Sequence, residues 1–98
     1  MNVAYSDEAL SDLKDIAVYI AQDNPVAART HIARIRQRVR AVRDLPWSGR
    51  VVPEYERHDL REVLVGTDRV IYQVRDQVVL VLSIQEGHRL LRLTPPSA

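Results

Sequence analysis

The chain has no cysteine among its 98 residues, which excludes a disulfide framework and any thiolate metal site and fits a reducing compartment. No apolar run approaches membrane-spanning length, and Met1-Asn2-Val3-Ala4-Tyr5-Ser6-Asp7 lacks both the basic and the apolar segment of a secretory leader. The expectation is a cytoplasmic protein with no membrane contact. Lysine is nearly absent too. Thirteen of the fourteen basic residues are arginine, the side chain suited to forked hydrogen bonds with carboxylate or phosphate. The three histidines, His31, His58 and His88, are too far apart in sequence for metal-site spacing, and no cofactor or metal is expected.

What is present is an uneven charge distribution. Residues 1–24 carry a net charge of −4, residues 25–50 one of +6 and the remainder −1. At 46% hydrophobic content, residues 1–98 support a single domain with one core.

The middle of the chain reads as three strands in succession: Leu60-Arg61-Glu62-Val63-Leu64-Val65, Arg69-Val70-Ile71-Tyr72-Gln73-Val74 and Val78-Val79-Leu80-Val81-Leu82. Gly66-Thr67-Asp68 and Arg75-Asp76-Gln77 are too short for crossover helices, so the strands form an antiparallel meander. Upstream, Asn2 to Tyr5 reads as a short strand. Ser6 caps a helix whose first turn carries Asp7 and Glu8. In it Ala9, Leu10, Leu13, Ile16, Ala17 and Ile20 share one face, and Glu8, Asp12 and Asp15 share another. Asn24 caps a second helix with Pro25 at its first position, and Ala28, Ile32, Ile35, Val39 and Val42 form its apolar stripe. The short link makes the two helices an antiparallel hairpin.

Arg29, Arg36, Arg40 and Arg43 fall on one stripe beside that apolar face. Such a row either meets the acidic face of the first helix, is solvated, or docks phosphate or an acidic partner. The segment from Leu45 to Glu54, with Pro46, Gly49 and Pro53, reads as an ordered loop. Its Trp47 packs over the edge of the core or anchors a partner. Tyr55 to Asp59 is polar and expected to be exposed. The fold class that follows is α+β, in the order β-α-α-β-β-β, with the helical hairpin on one face of an antiparallel sheet and the first strand at an edge.

In this order the chain resembles the RelE/ParE superfamily of bacterial type II toxin–antitoxin toxins, and most the ParE-like, plasmid-stabilisation branch. The matching pieces are Ala9 to Ile20, Asp23-Asn24-Pro25-Val26-Ala27-Ala28, Leu45-Pro46-Trp47-Ser48-Gly49-Arg50, Leu60-Arg61-Glu62, Val65-Gly66, Arg69 to Val74, and Gly87-His88-Arg89. The resemblance implies a toxin neutralised by a cognate antitoxin. ParE-like members inhibit DNA gyrase by binding it; RelE-like members are ribosome-dependent messenger RNA endonucleases.

Cleavage of RNA through its 2′-hydroxyl needs a base, an acid and cations for the phosphate. The RelE-like pattern implies lysines on the second strand, two arginines and a late tyrosine. Here Arg69 and Arg89 match the arginines, but the strand around Glu62 has no lysine and no tyrosine follows Arg89. If the chain were a nuclease, Arg69, His88 and Arg89 would be its catalytic residues, with His88 as acid or base. Otherwise His88 is a solvent-facing residue, and Arg61 and Arg69 fork onto carboxylates such as Glu62 or onto strand-end carbonyls. The favoured expectation is a binding toxin with gyrase as target, no sequence-specific contact with nucleic acid, and Arg29, Arg36, Arg40, Arg43, Trp47 and Arg61 as partner-binding candidates. A toxin-fold protein that has lost toxicity is a further alternative.

Overall fold

The computed structural model describes residues 1–86, 95 and 96. Strand β1 (Asn2–Tyr5) leads into helix α1 (Asp7–Ala21) and helix α2 (Pro25–Asp44), followed by β2 (Arg50–Val51), β3 (Leu60–Val65), β4 (Asp68–Arg75) and β5 (Val78–Glu86). The sheet order is β1-β5-β4-β3-β2.

Local chemistry sets both helix starts. The Ser6 hydroxyl accepts from the amide of Ala9 at 3.0 Å and donates to the carbonyl of Leu82 at 2.9 Å, so one side chain caps α1 and ties it to the sheet. Asn24 caps α2 through the amide of Ala27, with Pro25 in the first turn. The α2 stripe is buried as its spacing requires, save Ile32, which is half-buried. In α1 the stripe is narrower than expected: Ala9 and Leu13 are buried, but Leu10 is 47% exposed. A single sheet under the hairpin covers only part of the broad face that spacing suggests. On the acidic face of α1, Asp12 accepts the Ile84 amide at 2.9 Å and the Ser83 hydroxyl at 3.2 Å. It thereby closes the edge of β5 beyond the end of β1.

Two features depart from the expected sheet. It is mixed rather than antiparallel, since β1 runs parallel to β5 from Asn2↔Val78 to Tyr5↔Val81. The meander leaves the outer edge of β5 open, and β1 fills it in the direction that leads into α1. The second departure is β2, whose two residues pair with Glu62 and Arg61; Gly49 and Pro53 flank it and keep it short.

Strand β5 is also longer than its apolar run, and it carries a bulge: Ile71 pairs with Ser83 but Tyr72 with Val81. One extra residue reverses which side faces the helices. Val79 and Val81 therefore share the helix-side core with Ile84, while Leu82 faces the other way.

The sheet is covered on both faces. Between hairpin and sheet, Ile35, Val39 and Val42 of α2 pack on Val63, Val70 and Tyr72. On the far face Val52, Leu60, Ile71 and Leu82 form a second cluster, with Tyr55 packed against it. Tyr55–Asp59 is thus not a free polar loop. Arg57 pairs with Asp59 at 2.8 Å and donates to the carbonyl of Pro96, and Asp59 accepts from Gln73 at 2.8 Å. A sheet with one face under helices exposes the other, and this loop supplies its cover.

Candidate functional site

Adjacent residues of a strand point to opposite faces, and in β3 the pair Arg61 and Glu62 builds two different structures.

On the far face, Glu62 is 1% exposed and stands between two guanidiniums. One of its oxygens accepts from Arg50 Nε at 2.5 Å; the other accepts from Arg69 Nη2 at 2.5 Å and Nε at 3.1 Å. Arg69 also forks onto both oxygens of Glu54, at 2.7 and 2.8 Å. Two acids and two bases make a neutral group. The fork to Glu54, aided by Glu62, holds Arg69 more firmly charged than an ordinary arginine despite its burial. The same contact lowers the Glu54 carboxyl below its ordinary value. At 4% exposure, with its Nε, Nη1 and Nη2 all engaged, Arg69 presents no free fork to a phosphate.

On the helix side, Arg61 lies beside Tyr72 in register. Its guanidinium joins the loops on either side of β2, donating to the carbonyls of His58 at 2.9 Å, Gly49 at 3.1 Å and Trp47 at 3.4 Å. Its Nη2 lies 2.8 Å from His58 Nδ1. A guanidinium only donates, so that nitrogen is the acceptor. His58 stacks on Trp47 with centroids 4.5 Å apart and planes 20° apart, and the Arg61 guanidinium carbon lies 5.2 Å from the indole centroid. Beneath them the buried Tyr72 hydroxyl accepts the Gly49 amide at 3.1 Å and donates to the Pro46 carbonyl at 2.9 Å. Burial raises the phenol's pKa, opposed by the Gly49 amide and by the charges of Arg61 and Arg38. Trp47 is 47% exposed, so it stands off the core on a stack of polar neighbours.

The outer side of the hairpin carries a third feature. Ala17, Val18 and Ala21 of α1 face Ala28, Ile32 and Ala33 of α2 across an apolar groove, flanked by Arg29 and Arg36. Val18 is 54% exposed. The arginine row runs from Arg29 to Arg43, about 21 Å of helix, and does not act as one unit. Arg29 and Arg36 border the groove, Arg36 lies 5.6 Å from the Tyr5 ring centroid, and Arg43 approaches only Asp44, at 3.8 Å. Arg40 and Arg36 both lower the pKa of the Tyr5 phenol, which burial raises. Among the described residues, no ion pair joins this row to Glu8, Asp12 or Asp15.

Asp12 and Asp15 of α1 instead border a polar groove with His31, whose Nε2 meets Asp68 Oδ2 at 2.6 Å and ties α2 to the start of β4. Among the described residues no cluster of three or more His, Asp or Glu is placed to hold a metal ion. His88 and Arg89 lie outside the described residues. The sequence signalled Arg69 and Glu62 as a pair. Glu54 and His58 carried no signal, because loop residues reach their partners through the fold and not through spacing.

Residues 3–91 match the family described as ParE toxin of the type II toxin–antitoxin system, parDE. No curated protein matches the sequence. Among solved structures the chain is similar in fold to a protein of the chromosomal ParDE toxin–antitoxin system from P. aeruginosa, with a TM-score of 0.73 at 19% identity, over 88% of this chain and 95% of that one.

Proposed function

Because the chain belongs to the ParE toxin family of type II toxin–antitoxin systems, we propose that it acts by binding and not by cleaving, with DNA gyrase as its target and a cognate antitoxin as its neutralising partner. The observation that carries the binding reading is the state of Arg69. It is the described residue that the nuclease alternative needs as a phosphate-stabilising cation, and it is buried and charge-compensated by Glu54 and Glu62. Freeing it means breaking a buried ion pair, a cost of several kcal/mol.

The antitoxin's place in this reading is the hairpin groove. An apolar floor bordered by Arg29 and Arg36 suits an amphipathic segment with acidic flanks. A toxin partner also agrees with the ParDE assembly named for the similar structure. The action is placed in the cytoplasm, where the target resides, and no described helix is long and apolar enough to cross a membrane.

The test is a supercoiling assay with purified gyrase, relaxed plasmid and ATP. The protein should suppress supercoiling, and the antitoxin should restore it. Full supercoiling at saturating, folded protein would remove gyrase as the target.

A further inference from the structure

We propose that Trp47, presented by His58 and Arg61, is the anchor of a target-contact surface distinct from the hairpin groove, and that it seats on an acidic protein surface with an apolar recess for the indole. This rests on the toxin reading above but not on which target the toxin has.

Three observations carry it. The first is that the indole is half exposed yet fixed. Arg61 holds the Trp47, Gly49 and His58 carbonyls, the Tyr72 hydroxyl holds Pro46 and Gly49, and His58 stacks on the ring. An exposed aromatic ordered before binding loses little freedom when it binds, and tryptophan with arginine is the composition that dominates interface energetics.

The second is charge. Arg61 lies against the indole, and Arg38 and Arg61 both act on the Tyr72 phenol below it. The nearby acids Glu62 and Glu54 are already compensated by Arg50 and Arg69. The surplus is positive and fits an acidic partner. The third is the ring itself. Its stacking partners are His58 and Arg61, which leaves less aromatic face for a nucleobase than a single-strand binding platform offers. Together these favour a protein surface over nucleic acid.

The test uses the full chain and Trp47→Ala, with three readouts: growth arrest on induction without antitoxin, affinity for the antitoxin encoded beside the gene, and thermal melting. The expected result is a variant that melts within a few degrees of wild type and binds antitoxin within about twofold. Its potency in arresting growth should fall by about thirtyfold or more, as for loss of an interface anchor. Should Trp47→Ala not fold, His58→Ala decides by the same readouts, since His58 is exposed and orients the indole.

A folded variant that arrests growth like wild type would overturn the proposal. So would a parallel loss of antitoxin affinity, which would assign the surface to the antitoxin. Quenching of wild-type Trp47 emission by a mixed-sequence single-stranded oligonucleotide would assign it to nucleic acid and overturn it equally. A wild type that arrests growth without touching gyrase refutes the proposed target, and the comparison with Trp47→Ala still decides the role of the indole.

Discussion

Gly49 packs against the hydroxyl of Tyr72 so closely that no other residue fits: a Cβ built on Gly49 would lie 2.4 Å from that oxygen and 2.7 Å from the carbonyl of Glu62. The glycine is needed here for space, and its amide is the group the hydroxyl accepts. Gly49→Ala must displace either the phenol or the β2–β3 pairing, an overpacking cost of about 1–3 kcal/mol. Urea unfolding should register that loss, with a shift in Trp47 emission in the native baseline. An unchanged midpoint and emission would contradict the packing described for this loop.

Removing one member of the buried charge group should cost more than removing two. Arg69→Met leaves Glu62 buried with Arg50 as its remaining partner, and breaking such a pair costs about 3–5 kcal/mol. Pairing Arg69→Met with Glu62→Gln removes the stranded charge and should recover part of that loss. A double-mutant cycle in denaturant tests this, and simple additivity of the two substitutions would contradict the coupling.

The pH dependence follows from the same contacts. Arg69 lowers the Glu54 carboxyl below its ordinary value of 4.5, and Arg57 lowers Asp59 below 3.8. A carboxyl whose pKa is lower in the folded chain contributes stability above its unfolded value, and that contribution disappears as pH falls through the folded one. Thermal stability should therefore decline as pH drops below about 4.5. Glu54→Gln and Asp59→Asn should each flatten the decline. Equal acid slopes in the variants and wild type would show that these pairs do not set it.

The groove on the hairpin gives a prediction for the antitoxin. Arg29 borders it and is exposed, so Arg29→Glu should leave melting unchanged and weaken antitoxin binding by about tenfold at low salt. The difference should shrink as salt screens it. Calorimetric titration across a salt series measures both, and a salt-independent or absent effect would move the antitoxin off this face.

Much of the fold was legible because periodicity and caps report local physics. Ser6 and Asn24 marked both helix starts, and the Val, Ile and Tyr runs marked the meander. The parallel pairing of β1 with β5 was not legible, since pairing across most of the chain leaves no mark in spacing. The same holds for the β5 bulge, which returns Ile84 to the helix-side core. Leu10 shares the apolar stripe yet is exposed, because helical spacing describes a stripe and not how much of it the sheet covers. Of the candidate site, Arg61 and Arg69 were legible as forks. Arg69 has Glu62, as foreseen, and also Glu54; Arg61 has carbonyls. The arginine row looked like one surface on a helical projection, yet Tyr5 and the groove divide it. Nothing in sequence brings His58 and Arg61 to the Trp47 ring, so the sequence alone leaves core cover and partner anchor both open.

Binding of a target, and not cleavage of RNA, is the action proposed for this protein. The most direct measurement induces it in a host without antitoxin and follows plasmid supercoiling and messenger RNA integrity in the same cells. Loss of negative supercoiling with messages intact is the expected result. Messages cut within codons, with supercoiling preserved, would contradict it and return Arg69, His88 and Arg89 to an active site.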